Sequence, residues 1–428
     1  MNSFARRSVA ATVVAFTVVG ASCAPPTVAL PPSPVTFAVH TVDAAVPGAS
    51  FVVAADALAG HGDELVVSAF GKPLNGPGTV SIYQRGADLD TWTKTPVVTA
   101  ADAIKFPNEA TVADIDGDGD ADVVVAGGFF TCAFAGPGCG TLTWFEQTAT
   151  GYVHHDIVTN SPTFFHRAVV VDFDGDGVTD LVTVGETFSA AYVEWYRGSS
   201  DPGAPRFSST PNIVGYGGGS LPEVHDVDGD GDLDVISAQY FATGRSFAWW
   251  ERTADPSPAN PAGTFVDHTI TGVVGGSFQV RPVANLRGDG VTRYLATNHA
   301  STTFNGGSPE SGLYELDPGA DPTALWGVTL RSQGISARPT SPQTLAPGTF
   351  DTGDVDGDGR IDVAVSGDGD ARLFWMKQLA DGSFQTYVIA DDMGQAGGGA
   401  VRDFDGNGKA DLVFSSYEQD VVRIYSVQ

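Results

Sequence analysis

Asp226-Val227-Asp228-Gly229-Asp230-Gly231-Asp232-Leu233-Asp234 decides how this chain reads. Acidic side chains alternate across nine residues, and the run ends in the β-branched pair Val235-Ile236. Positions one, three, five and nine can aim carboxylates at one point, and position seven can add a backbone carbonyl. Glycines at positions four and six allow the tight turn this requires. Such a loop suits a hard cation with oxygen ligands, Ca²⁺ above all, because unneutralised carboxylates at this range repel one another.

The same nine residues recur. Intact copies run Asp114–Asp122, Asp172–Asp180, Asp226–Asp234, Asp354–Asp362 and Asp403–Asp411, the last with Asn407 at position five. Two copies are degenerate. Asp56–Glu64 keeps its ends but holds Leu58 and Gly60, and Asn285–Arg293 carries Arg287 and Arg293 at ligand positions. The ninth positions, 64, 122, 180, 234, 293, 362 and 411, lie 49 to 69 residues apart. Seven recurrences at that period mark a repeat architecture.

Each unit has one grammar. An apolar stretch such as Ala168–Val171 precedes the loop, and a β-branched run such as Asp122–Val125 follows it. Next comes an aromatic strand: Leu142–Phe145, Val193–Tyr196, Phe247–Trp250 or Leu373–Trp375. A fourth strand, such as Tyr152–Ile157 or Phe265–Ile270, closes the unit. Four antiparallel strands in each of seven units predict an all-β, seven-bladed β-propeller over residues 35–428. The last unit ends on its third strand, Val421–Tyr425, while Val35–Val42 has a fourth-strand pattern with no unit before it. The N-terminal strand is therefore expected to complete the last blade and remove two open edges.

The loops, as in Val112–Val125, resemble FG-GAP/VCBS-type repeats, which integrin α-subunit propellers share with many bacterial secreted proteins. The resemblance implies calcium at the matching residues of the five intact loops. Those are Asp114, Asp116, Asp118, Asp120 and Asp122; Asp172, Asp174, Asp176, Val178 and Asp180; and Asp226, Asp228, Asp230, Asp232 and Asp234. The remaining two sets are Asp354, Asp356, Asp358, Arg360 and Asp362, and Asp403, Asp405, Asn407, Lys409 and Asp411. It does not extend to 56–64 or 285–293, where Arg287 and Arg293 are expected to replace the cation by pairing with Asp289. The Phe-Gly and Gly-Ala-Pro elements of the stricter integrin pattern are mostly missing.

Composition narrows the partners. The chain has 428 residues and a formal net charge of −29, with 22 Lys and Arg against 51 Asp and Glu. No basic patch is available to neutralise phosphates, so nucleic acid and anionic membrane surfaces are not expected partners. Residues 1–23 read as an export signal: Arg6 and Arg7 precede the apolar run Val9–Gly20, which is too short to span a bilayer. Gly20-Ala21-Ser22-Cys23 resembles a lipoprotein box, with Cys23 as the lipidation site; cleavage near Ala21–Ala24 and full secretion is the alternative. Residues 24–34, rich in proline, form a tether. Cys132 and Cys139 are expected to pair in an oxidising compartment. The expected setting is extracellular or at the cell surface, as a monomer, with membrane contact only through Cys23.

Function is sought where the repeats differ. Residues five and six positions before the loops should ring a channel mouth: Asn108 and Glu109, His166 and Arg167, Ser220 and Leu221, Gln279 and Val280, Gly348 and Thr349, Gly397 and Gly398. Glu223, His225 and Arg281 lie nearby. Two readings follow. One is a module that binds a glycan or a protein. The other is a sugar- or uronate-acting lyase or dehydratase, with His166 or Glu109 as acid or base and Arg167 or Arg281 as anion clamp. The tryptophans Trp144, Trp195, Trp249, Trp250 and Trp375 could stack on sugars, but their recurrence at one strand position favours packing between blades.

Overall fold

β-branched runs directly after each acid loop make strands buried on both faces. Asp122–Gly127, Asp180–Glu186, Asp234–Ala238 and Asp411–Ser416 are buried at every residue. In a computed structural model of the chain, which describes residues 30–58, 60–73, 76–129, 138–187, 189–240, 245–272, 277–298, 311–335 and 347–428, these are the second strands of four-stranded antiparallel sheets. Blade two shows the order: Ala110–Ala113, Asp122–Gly127, Gly140–Thr148 and Gly151–Ser161, each antiparallel to the next. Seven such sheets are present. Among the described residues the only helix is a single 3₁₀ turn, Ala100–Asp102.

The first strands of neighbouring blades touch, as Ala110–Ala113 touches Ala168–Val171, which places them around the axis of the ring. The blades themselves meet through seven apolar clusters, each joining two neighbours. One unites Ile236 and Trp249 of blade four with Tyr294 and Leu316 of blade five, and another unites Val182 and Trp195 of blade three with Val235 and Trp250 of blade four. Trp195, Trp249, Trp250 and Trp375 are fully buried there. Filling the wedge between sheets is what these rings do, as the repeat pattern predicts.

Ring closure also follows the expectation. Phe37–Asp43 pairs with Val421–Val427, with Phe37 opposite Val427 and His40 opposite Ile424. The seventh blade thus takes its outer strand from the N-terminal end of the folded body. Leu30, inside the expected tether, packs against the cluster between blades five and six, and Val35 against the one between six and seven.

Candidate functional sites: acid loops and a charged channel

Each acid loop joins the first and second strands of a blade and is wound by its own carboxylates. Asp114 Oδ1 accepts the Gly117 N–H at 2.8 Å and Oδ2 that of Gly119 at 3.1 Å, while Asp116 and Asp118 accept from Asp118 and Asp120. Gly117 and Gly119 take φ of +82° and +95°, a region an L-residue rarely adopts, so both positions need glycine. The ninth carboxylate is a buried pin: Asp122 accepts the Ile115 N–H at 3.0 Å and the Gln147 N–H at 2.7 Å. Burial pushes its pKa up to about 6, and pushes those of Asp234, Asp362 and Asp411 up to about 7.

Carboxylates at positions one, three and nine converge within 4.8 Å in four loops, Asp114/Asp116/Asp122, Asp172/Asp174/Asp180, Asp354/Asp356/Asp362 and Asp403/Asp405/Asp411. In the fifth, Asp226, Asp228 and Asp230 converge. Asp172 Oδ1, Asp356 Oδ1 and Asp411 Oδ1 are buried and receive no hydrogen bond. A buried carboxylate oxygen without a donor is costly, and a hard cation is what this donor set would satisfy.

The degenerate loops explain themselves. Glu64 still accepts from Ala57 and Leu58, so the 56–64 loop keeps its pin after losing the carboxylates of its third and fifth positions. In blade five, Arg293 grips Asp289 with two hydrogen bonds of 2.8 and 2.6 Å and holds its pKa far below the usual carboxylate range. Arg287 does not join it. It pairs instead with buried Glu315, which also meets Arg331 and Arg293. A guanidinium thus pairs with Asp289 as expected, but through one arginine of the expected two. Glu315 was not legible as its partner because it lies on the third strand, outside the repeat motif.

Around the axis, acidic and basic side chains alternate from blade to blade. Arg167 reaches Glu109 at 3.2 Å and Glu223 at 2.5 Å. Arg281 reaches Glu223 at 3.2 Å, Asp351 at 3.4 Å and Glu109 at 3.5 Å. Arg402 continues the series to Asp351 at 3.4 Å and Asp63 at 3.1 Å. A cavity of about 280 Å³ opens beside Arg167, Glu223, Arg281 and Asp351.

Of the residues expected at the mouth, Glu109, Arg167, Glu223 and Arg281 are brought together. The others are not. Asn108 is buried and donates to the Phe106 and Phe165 carbonyls. Gln279 is buried and accepts the Phe350 N–H. His166 turns away to Glu186 at 3.0 Å, against Phe129 and Phe164. His225 stands edge-on to Tyr294, and burial lowers its pKa. The channel group therefore brings Glu109, one of the two expected acids or bases, together with the expected anion clamps Arg167 and Arg281, while His166, the other, lies outside it. Cys139 is disulfide-bonded; Cys132 and Cys23 lie outside the described residues.

A family model described as FG-GAP-like repeat matches residues 172–237 and 354–414, each match starting on the first aspartate of an acid loop. The chain carries FG-GAP-like repeats. These matched stretches hold four of the five intact acid loops. No curated protein matches the sequence. Among solved structures, a protein from Lactobacillus plantarum aligns with 14% identity and a TM-score of 0.48, over 80% of this chain and 86% of its own. A Bacillus licheniformis rhamnogalacturonan lyase aligns with 14% identity and a TM-score of 0.43, over 91% and 75%. An exotype rhamnogalacturonan lyase, YesX, aligns with 14% identity and a TM-score of 0.48, over 94% and 75%.

Proposed function

We propose that this protein is an exported, calcium-binding β-propeller that serves as a binding module for a glycan or a protein at the cell surface. The observation that carries the calcium assignment is the recurrence, in three acid loops, of a buried carboxylate oxygen with no donor: Asp172 Oδ1, Asp356 Oδ1 and Asp411 Oδ1, with Glu186 Oε2 the one such oxygen outside the loops among the described residues. Carboxylates at positions one, three, five and nine hold the ion, with Asn407 as the amide oxygen in the last loop. Asp120, Val178, Asp232, Arg360 and Lys409 lend backbone carbonyls. The role is structural, because each loop pins the first two strands of its blade, and ion binding stabilises the folded state by mass action. Modules of this ligand type bind calcium at about 10⁻⁴–10⁻³ M.

Binding rather than catalysis is favoured because the charged channel residues are engaged with one another and include no histidine. The disulfide at Cys139 is consistent with export to an oxidising compartment, as is the N-terminal signal. Isothermal titration of the EDTA-treated protein with calcium is expected to show saturable binding at several sites. Heat no larger than that of a charge-matched acidic protein would refute the calcium assignment. Cys23→Ser tests the anchor: a lipoprotein leaves the membrane fraction on substitution, and a secreted protein is unaffected.

A further inference from the structure

Blades two and four build the same three-residue device. In blade four, His268 stacks on Trp249 with ring centres 4.6 Å apart and bonds Glu251 at 2.6 Å. In blade two, His155 stacks on Trp144 at 4.4 Å and bonds Glu146 at 2.7 Å. What differs is the roof. The segment before the fourth strand of blade five, Gly327–Leu330, covers the blade-four device: Pro322 O accepts the Trp249 Nε1–H at 3.3 Å, and the His268 side chain is 14% exposed. Blade three repeats that roofing, with Ala262 O accepting from Trp195 Nε1 at 3.2 Å.

Over blade two the roof is held back. The covering segment 198–207 closes on itself, with Ser199 N–H donating to Arg206 O at 2.8 Å and Arg206 Nη1 to Ser199 O at 3.0 Å. Beneath it lies a cavity of about 540 Å³, lined by Trp144, His154, His155, Asp156, Asp116 and Arg206 among others. The His155 side chain is 37% exposed. Trp144 Nε1 donates to no atom among the described residues, and Arg206 Nε is buried without an acceptor. The cavity falls within the range of small-molecule sites, about 300–1,000 Å³.

We propose that this groove binds a neutral saccharide. The occupant supplies the acceptor oxygen that Pro322 supplies in blade four, now to Trp144 Nε1. A sugar hydroxyl does this, and a second can accept from Arg206. Hydroxyls also donate to Asp156, so one chemical group serves both kinds of lining side chain. The imidazole of His155, backed by Trp144, offers a flat face to the C–H side of a pyranose. Asp156 and Asp201 on the lining, together with a net charge of −29, select against uronates. This assignment rests on the reading of the chain as a binding module but not on calcium.

The test is saturation-transfer NMR of the whole protein. The probes are cellobiose, maltose, lactose and diacetylchitobiose, alongside digalacturonate and a peptide copying residues 319–325. A neutral disaccharide is expected to show transfer, and digalacturonate and the peptide none. Trp144→Phe removes the pyrrole ring with its N–H and should weaken binding about five- to tenfold, and His155→Ala, at a partly exposed side chain, should weaken it with an unchanged melting temperature. Trp249→Phe should do the opposite, lowering the melting temperature and leaving binding intact. The proposal is overturned if no neutral disaccharide binds, if only digalacturonate or the peptide binds, or if Trp144→Phe and His155→Ala both leave the affinity unchanged. Calcium binding measured on the same samples separates such a failure from failure of the calcium assignment.

Discussion

Arg197 and Lys377 occupy, in blades three and six, the place that Glu146 and Glu251 hold in blades two and four. In each case the residue lies one beyond the cross-strand partner of the residue that follows the ninth carboxylate. The consequence for the acid loops is electrostatic. Arg197 pairs with Asp174 and with Asp176, and Lys377 with Asp356 and with Asp358. These loops carry a cation of their own, which a metal ion must displace, whereas Glu146 and Glu251 add negative charge beside Asp116 and Asp228. The five loops are therefore not equivalent. Arg197→Gln and Lys377→Gln are each expected to strengthen calcium binding at one loop by about tenfold, a value at the low end for a unit charge at this range because Arg197 is partly exposed. Titration calorimetry that shows no added tight site would contradict this. The motif itself was legible because all its ligands lie within nine residues. Its modulator was not, because strand pairing brings it from 19 or more residues away.

Glu194 gives a residue-scale probe independent of metal. It is buried, accepts the Tyr196 hydroxyl at 2.8 Å, and burial pushes its pKa up to about 7. Because the folded value lies above the unfolded one of about 4.3, the folded state holds the proton more tightly. Its contribution to stability is present at low pH and is lost as pH rises through about 4.3 to 7. Glu194→Gln should therefore raise the melting temperature at pH 8 by a few degrees and change it little at pH 4. An equal effect at both pH values would show that Glu194 does not titrate in this window.

At the scale of strands, the seam of the ring shows what repeat counting misreads. Gly397 and Gly398 fall where channel-mouth residues were expected, yet they serve close approach. A Cβ on Gly397 would collide with the Ser50 carbonyl, and one on Gly398 would crowd Phe51. The first strand of blade seven, Ala396–Arg402, lies against Ala49–Ala55 of blade one there. Gly397→Ala should cost about 1–3 kcal/mol through overpacking, read as a lower denaturant midpoint with an unchanged slope. A neutral result would mean the two strands do not pack this closely. The same strands explain the missed channel residues. Arg167 lies five residues before Asp172, Asp351 three before Asp354 and Arg402 one before Asp403, so no fixed offset could find them all. Strand order, by contrast, was readable throughout, because β-branched runs and aromatic strands alternate with the loops in every blade.

For the whole molecule, closure is the device that removes exposed edges. Phe37–Asp43 shields the edge of Val421–Val427, and the alternating charges from Glu109 through Arg281 to Arg402 and Asp63 link successive blades around the axis. A chain beginning at Ala44 should lose this clasp and expose a strand edge. Aggregation on size-exclusion chromatography is the expected outcome, and a monomer of unchanged melting temperature would deny the clasp its role. The ring as a whole holds five intact acid loops whose carboxylates, brought together without a cation, oppose the fold they pin. The calcium assignment is tested by differential scanning calorimetry at neutral pH, first with EDTA and then with millimolar calcium. The unfolding midpoint is expected to shift clearly upward with calcium, by more than with sodium at equal ionic strength. A midpoint unmoved by calcium would contradict it.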